Sequence, residues 1–410
     1  MPIEKTVLPN GVRILSEMVS HVESASIGLW CRTGSSDETD AEAGITHFIE
    51  HMLFKGTPTR DAHQIADSIE ARGGMLNAFT DKQATCYYCR VLADDSENGV
   101  DVLSDMMCHS LLDPVELAKE KGVVLEEIKR SEDEPGDHVH ELHLHTRWGN
   151  HPLGRPIIGT AESVSSFQPD DLRAYMNRRY RGHHVLLAAA GKVNHNDLVA
   201  WAAERLGTLP VGDEVTPLDR PAGKAINRAE AKDVEQIHFC IGSDAPGLMD
   251  DNERYASSLM DHILGGGMAS RLFQEIREKR GLAYSVGSYA LNYTAGGAFT
   301  VYGGTSPATW LEVQDLVRKE FDKFMADGPT ADELFKAKRS LCGSLVLGLE
   351  GMSSRMMRMA KNELIRERDV PIQETMDKIN AVTLNQVTEL ARRVLDPGLV
   401  STTAIGPIPA

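Results

Sequence analysis

Thr46-His47-Phe48-Ile49-Glu50-His51-Met52 carries two histidines four residues apart with a glutamate between them, and its reading decides what the rest of the chain must build. At ~100° per residue on an α-helix, His47, Glu50 and His51 fall within one narrow sector, while Ile45, Phe48, Ile49, Met52 and Leu53 gather on the opposite side. The polar triplet then faces a cavity, and the apolar stripe anchors the helix in a core. Two neutral imidazoles one turn apart can grip a single Zn2+, and an adjacent carboxylate can take a proton from a water held there. The order is H-x-x-E-H, the inversion of the commoner H-E-x-x-H. Five residues can arise by chance, so the rest of a site has to be found elsewhere.

Residues 114–131 supply a candidate. Asp113 reads as an N-cap, Pro114 as the first helical residue and Glu116 as the close of a capping-box-like start. Glu120 and Glu127 lie two turns apart on one face of this helix. With Val123 and Val124 beside it, Glu127 is expected to point toward packed protein, whereas Glu126 turns about a quarter circle away. A partly buried carboxylate needs a partner, and a metal is one. Three protein ligands would leave zinc's fourth position open to water, as catalytic sites do and structural sites do not.

His47-Phe48-Ile49-Glu50-His51 followed by Val123-Val124-Leu125-Glu126-Glu127-Ile128 resembles the inverted zincins of the pitrilysin/insulinase family. Leu8-Pro9-Asn10-Gly11-Val12, Asn77-Ala78-Phe79-Thr80, Pro152 through Thr160, and Arg277 through Gly281-Leu282-Ala283-Tyr284 are similar to further family segments, so the resemblance spans nearly the whole chain. Length and motif content resemble the short branch, that of the mitochondrial processing peptidase and its bacterial relatives. The resemblance implies a zinc endopeptidase or oligopeptidase with one Zn2+ per chain and an extended peptide as substrate. A non-catalytic core subunit, or a peptide-binding partner of some other catalytic chain, is the alternative; such core subunits tend to lose the metal residues that are present here.

Composition bounds the reading without deciding it. A chain of 410 residues favours two or three domains, and 41% hydrophobic residues suffices for packed cores. No apolar run is long enough to span a bilayer, and Met1-Pro2-Ile3-Glu4 reads as neither a signal nor a transit peptide, so the expectation is a cytoplasmic, bacterial-type protein with no membrane partner. A formal charge of −17 argues against nucleic acid and suits basic peptides. The cysteines show no disulfide or zinc pattern; Cys86 and Cys89 form C-x-x-C, but in a stretch that reads as a strand, where positions three apart face opposite sides.

The chain also reads as a duplication. Pro217, Pro221, Gly212 and Gly223 among alternating charges mark 213–230 as a linker between an N-terminal domain, 1–212, and a C-terminal one, 231–410. Strand 24–31, the motif helix and strand region 77–92 recur in order as 235–243, helix 252–264 and 284–304. Laying His262 on His51 puts Ser258 opposite His47 and Asp261 opposite Glu50, so the second copy has lost its ligands. For the fold class, the resemblance implies α+β: two homologous domains, each a mostly antiparallel sheet packed with helices. In the resembling family four such domains close into a clamshell, so this chain should pair with another, as a homodimer with composite sites.

The resemblance also implies roles. His47, His51 and Glu127 would bind zinc, Glu50 would be the general base, and Glu120 would support a ligand or the water. Asn77, Ala78 and Phe79 would hold substrate as an added strand through main-chain groups. Arg277 would hold substrate main chain, and Tyr284 would bond the carbonyl or oxyanion near the scissile bond, acting on the partner's zinc in a homodimer. Asp137 and Glu141 match an acidic pair used against arginine before the cut; a solvated acidic run, with Glu132-Asp133-Glu134 next door, explains them as well. His138, His140, His143 and His145 lack acidic or cysteine partners at metal spacing and read as surface or core histidines. Gly265-Gly266-Gly267 reads as a helix end.

Overall fold

The computed structural model describes residues 3–214 and 216–408. The strands are β1 (Glu4–Val7), β2 (Arg13–Met18), β3 (Ser24–Cys31), β4 (Met75–Thr80), β5 (Thr85–Leu92), β6 (Val185–Gly191), β7 (Asn227–Ala231), β8 (Ile237–Ala245), β9 (Ala283–Asn292), β10 (Gly297–Thr305) and β11 (Ser401–Gly406). The helices of the first half are α1 (Ile45–Leu53), α2 (Ala62–Glu70), α3 (Ser96–His109), α4 (Pro114–Asp133), α5 (Pro135–Trp148), α6 (Ala161–Ser166), α7 (Pro169–Arg179) and α8 (His195–Leu206). Those of the second are α9 (Arg254–Leu264), α10 (Trp310–Asp327), α11 (Ala331–Gly348), α12 (Met352–Arg366), α13 (Ile372–Ala381) and α14 (Leu384–Val394). None is long and apolar enough to cross a membrane.

The two sheets repeat one plan. The first has the order β1-β2-β6-β3-β5-β4 and the second β7-β11-β8-β10-β9. In both, one parallel pair, β2 with β6 and β7 with β11, is followed by three antiparallel pairings. Sheets built this way are mostly antiparallel, as expected, and the duplication read from the order of elements is present in five strands of each, β1 alone having no counterpart. The expected linker ends sooner than 230, because residues 227–230 belong to β7, which pairs with β11. Val215, within that linker, lies outside the described residues.

Two compact units result, and neither is contiguous in sequence. The first takes the chain up to Lys129, Pro156–Thr216 and Leu347–Val370; the second takes Arg130–Arg155, Pro217–Val346 and the chain from Pro371 on. Boundaries at 212 and 231 therefore do not describe how the chain packs, for a physical reason visible on each sheet. A sheet with two apolar faces needs cover on both. On the first sheet one face packs against α1, α3, α7 and α8. Its other face, with Leu15, Trp30, Cys86, Leu186, Ala188 and Ala190, is covered by Met356, Met359, Ala360 and Leu364 of α12. Reciprocally, Val139 and Leu142 of α5 lie on Cys240 and Ile405 of the second sheet, and Leu144 and Trp148 on Ala298.

Charged residues fasten the exchanged helices. Buried Arg147 of α5 donates to the carbonyls of Gly242 and Leu399, to the Ser401 hydroxyl and to Asp244. Buried Glu363 of α12 meets Lys5 at 2.7 Å and Arg13 at 3.4 Å. Two of the clustered histidines are spent here too. His143 is buried with Nδ1 3.0 Å from the Thr403 hydroxyl, and His140 lies 2.8 Å from the Tyr289 hydroxyl. On β5, Cys86 faces α12 while Cys89 faces the α1 side, which separates the C-x-x-C pair as strand geometry requires.

Burial of the α12 side chains contributes about 1.5–3 kcal/mol for each large apolar residue, a total comparable with the whole stability of a domain. A fragment ending at 216 should therefore lack a cooperative thermal transition and bind a hydrophobic dye. Adding a peptide of residues 347–370 should restore the transition. Equal cooperativity with and without the peptide, by calorimetry, would show that α12 is dispensable to the first unit.

Candidate active site

Helix α1 has nine residues, a length at which an isolated helix is marginal in water, so its direction comes from packing. Ile45, Phe48, Ile49, Met52 and Leu53 are all essentially fully buried, and the opposite face carries His47, Glu50 and His51. The helix begins at Gly44, whose φ of +88° few other residues adopt. A Cβ there would stand 2.6 Å from the carbonyl oxygen of Ile158, so the loop before α6 is seated directly on the helix start.

Helix α4 runs alongside, started by Asp113, whose carboxylate accepts from the Val115 and Glu116 amides. The Glu116 side chain is taken by Lys119 at 2.7 Å, so it does not complete the reciprocal box expected of it. The two glutamates also divide differently from the expectation. Glu120 is buried, whereas the Glu127 side chain is 43% exposed and Val123 beside it is exposed, so the packed stripe of α4 runs through Leu117, Glu120, Val124 and Ile128. Glu127 borders a space rather than a core.

That space is where the three candidate ligands meet. Glu127 Oε2 lies 3.6 Å from His51 Nε2 and 3.9 Å from His47 Nε2. One ligand atom from each residue falls within 4.8 Å of the others, and among the described residues this is the one group of three able to hold a metal ion. Two atoms each ~2.1 Å from a tetrahedral zinc stand ~3.4 Å apart, so the two separations from Glu127 lie within about half an ångström of what Zn2+ requires. The donor chemistry fits as well. Burial, with the neighbouring His51 adding to it, holds His47 down to about 4, so its imidazole is neutral and a lone pair is free.

Around this set stand residues that orient it. Glu120 Oε2 is 3.1 Å from His51 Nδ1 and its Oε1 is 2.7 Å from Lys55 Nζ. Such a carboxylate fixes the tautomer that leaves Nε2 free to ligate. Glu50, the candidate base, accepts from the Thr80 hydroxyl at 2.5 Å. Burial raises the Glu50 carboxyl above its ordinary range and the Glu127 charge pushes the same way, while Thr80 and His51 pull it down. Sequence periodicity marks neither Thr80 nor Lys55, because contacts made across the fold, Thr80 with Glu50 and Lys55 with Glu120, leave no periodic trace. Thr80 does close the quoted segment Asn77-Ala78-Phe79-Thr80, the one signal that could have found it.

Strand β4 pairs with β5 on one side and ends the sheet on the other. Its backbone groups from Asn77 to Phe79 are thus on a sheet edge beside α1. Phe79 itself points to the face away from α1, edge-on to Trp30 at 5.5 Å and to Tyr88 at 6.2 Å, so only its main chain can serve that edge.

The remaining candidates lie in the second unit. Arg277 sits in a short π-helix, Phe273–Glu278, with its guanidinium 5.0 Å from the ring centre of Tyr284 and 4.8 Å from that of Phe273. Tyr284 is 80% exposed, a large apolar ring held by a cation at the start of β9. Asp137 and Glu141 are one turn apart on α5, Asp137 exposed and acting on the imidazoles of His140 and His238. The degenerate counterpart of the motif keeps one contact of the original. Asp261, aligned with Glu50, accepts from the Ser288 hydroxyl of β9 at 2.6 Å, as Glu50 does from Thr80 of β4. Ser258 turns back on the Arg254 carbonyl, and no ligand set forms there.

With this geometry stand the likenesses to known proteins. A family model described as Insulinase (Peptidase family M16) matches residues 13–161, and one described as Peptidase M16 inactive domain matches 166–341. The chain is 42% identical to an uncharacterized zinc protease of Streptomyces coelicolor over 99% of its length and 90% of the relative's. It is 41% identical to another of Bacillus subtilis over 96% of its length and 95% of the relative's. A crystal structure of a peptidase M16 inactive domain from Pseudomonas fluorescens superposes with a TM-score of 0.92 at 24% identity, covering 100% of this chain and 99% of that one. A protease from Helicobacter pylori gives 0.89 at 20% identity, covering 99% of each. At such identities these two likenesses establish the fold.

The Thr80 contact makes a prediction that needs no substrate. A hydrogen bond donated to the carboxylate favours its charged form, so Thr80→Val should move the Glu50 titration to higher pH in metal-free protein, read by carboxyl carbon NMR. A midpoint that stays put or falls would mean that burial and the neighbouring charges alone set it.

Proposed function

The chain belongs to the insulinase family, peptidase family M16, and we propose that it is a zinc-dependent endopeptidase or oligopeptidase that hydrolyses extended, basic peptides. One observation carries this: Nε2 of His47, Nε2 of His51 and a Glu127 oxygen converge at zinc-ligand spacing with the Glu50 carboxylate on the same helix face. Zinc bound there would supply a Lewis acid that polarises the attacking water and the scissile carbonyl. Glu50 takes the proton from that water and passes it to the leaving amine, with Thr80 fixing the direction in which its carboxylate faces. Glu120 holds the His51 ring through Nδ1 and is itself held by Lys55.

In the same reading, the free edge of β4 takes the peptide as an added strand through the backbone of Asn77, Ala78 and Phe79. Asp137 and Glu141 receive an arginine or lysine side chain before the cut, and the excess of acidic over basic residues draws such peptides in. Two chains form a clamshell homodimer, as in the short branch typified by the processing peptidase, in which Arg277 and Tyr284 of one chain serve the zinc of the other. The pairing of exposed Tyr284 with the Arg277 guanidinium supports this, because both side chains are presented together at the surface. A scaffold role suits the second unit by itself, where Ser258 stands for the ligand His47 and Asp261 for the base Glu50. The first unit keeps every ligand, which favours the enzyme.

Glu50→Gln should keep one zinc per chain and lose nearly all hydrolysis of a peptide library, whereas His51→Ala should lose the zinc. Normal cleavage by Glu50→Gln protein with its metal content verified would remove Glu50 from the role of base.

The composite site is tested by mixing. Glu50→Gln and Tyr284→Phe proteins should each be nearly inactive alone. After subunit exchange, demonstrated with two different tags, half the dimers are mixed and each holds one intact site, so activity should recover to about a quarter of wild type. Isolated mixed dimers as inactive as their parents would confine Tyr284 to its own chain or to no catalytic part.

A further inference from the structure

We propose that Glu38 is a positioning residue for the zinc site, the joint that locks the start of α1 against the β4–β5 turn and so aims His47 and His51. The inference rests on the metallopeptidase reading and adds to it a residue outside the ligand and base set. The argument begins with what α1 lacks. Its N-cap is Gly44, which has no side chain to accept from the exposed amides of the first turn. Glu38, six residues upstream, supplies that group from a distance: Oε2 accepts from the Gly44 amide at 2.8 Å and Oε1 from the Thr46 amide at 2.9 Å. Both bonds lie at the positive end of the helix dipole.

The carboxylate is buried, which makes its surroundings a built arrangement rather than a surface accident. Thr46 Oγ1 lies 3.1 Å from the Tyr175 hydroxyl of α7, which in turn lies 2.9 Å from Thr33 Oγ1. The charge facing Glu38 from the β4–β5 turn is that of Lys82. The loop carrying Glu38 is fastened to the same turn by its backbone: the amides of Ser35 and Ser36 donate to the carbonyls of Asp81 and Lys82 at 3.3 and 2.8 Å. A Cβ on Gly34 would stand 2.2 Å from the Asp81 oxygen, so no looser fit is available there. Burial pushes the Glu38 carboxyl up to about 7 against the pull of its donors and of Lys82.

What it does follows from leverage. At the outer radius of a helix, ~6 Å, a rotation of ~10° moves a side-chain tip by ~1 Å, about twice what a catalytic constellation tolerates. The apolar stripe of α1 prevents large rotations, and the two bonds to Glu38 remove the small ones. They also tie that setting to β4, whose Thr80 holds Glu50, so ligands, base and substrate edge share one reference point.

The test uses the full chain as wild type, Glu38→Gln and Glu38→Ala. The glutamine keeps the volume and one acceptor oxygen; the alanine removes both. Zinc affinity is measured by competition with a chelator, kcat and KM on one peptide, and backbone amide exchange on the metal-free proteins. Glu38→Ala should weaken zinc binding about 10- to 100-fold, lower kcat with little change in KM, and release the Gly44 and Thr46 amides while the sheet stays protected. Glu38→Gln should fall between it and wild type, and it decides the question if the alanine protein does not fold. Wild-type zinc affinity and kcat in a folded variant would overturn the proposal, as would exchange rising evenly through the first unit, which is what loss of stability without loss of aim would give. If wild type binds no zinc, the metallopeptidase reading fails instead, and selective release of the two amides still judges the joint.

Discussion

Burial of five apolar side chains on one side of α1 is the constraint from which the rest of the site follows. Ile45, Phe48, Ile49, Met52 and Leu53 leave the helix one way to lie, and 3.6 residues per turn then puts His47, Glu50 and His51 on the side that remains. Polar residues at the site are held by polar partners, but each of those partners acts on a helix whose orientation is already set by its core. Glu120 can fix the His51 ring, and Thr80 the Glu50 carboxylate, only because both distances are decided beforehand.

This dependence explains which parts of the site were legible in the sequence. The motif helix is read from its period, and α4 from Asp113 and Pro114; strand β3 falls on the residues that alternation marks. Strands β8, β9 and β10 and helix α9 could be anticipated because elements recur in sequence order, and Ser258 in place of His47 and Asp261 in place of Glu50 fall out of the same alignment. What α4 packs against could not be read. Helical spacing puts Glu120 and Glu127 on one face, yet the stripe bends so that Glu120 is enclosed and Glu127 faces a space, and Val123 goes with the open side. Periodicity gives the direction of a side chain and not the depth of what lies in that direction. Contacts closed by tertiary structure, such as Thr80 to Glu50 and Glu38 to the start of α1, leave no pattern at all.

The second unit serves as an internal control on the first. Both contain an edge strand whose hydroxyl donates to an acid on the motif helix, Thr80 to Glu50 and Ser288 to Asp261. Only the first still has ligands. The hydroxyl–acid bond therefore persists without a metal beside it, which identifies it as a fastening between helix and hairpin that the first unit also uses to orient its carboxylate. Burial has pushed Asp261 up to about 6, a carboxyl free to drift because no chemistry requires its charge.

The exchange of α5 and α12 between units also fixes an order of events during synthesis. The first sheet is complete in sequence by Gly191, yet the helix that covers its second face ends only at Arg366. At roughly 5–20 residues per second, a ribosome needs on the order of ten to thirty seconds to deliver that helix after the sheet's last strand has been made. Throughout that interval Trp30, Leu186 and the alanines of β6 have nothing to lie against. That face has no cover from its own unit until α12 has been made, so the half that carries the His47–His51 motif, though made first, cannot be finished first.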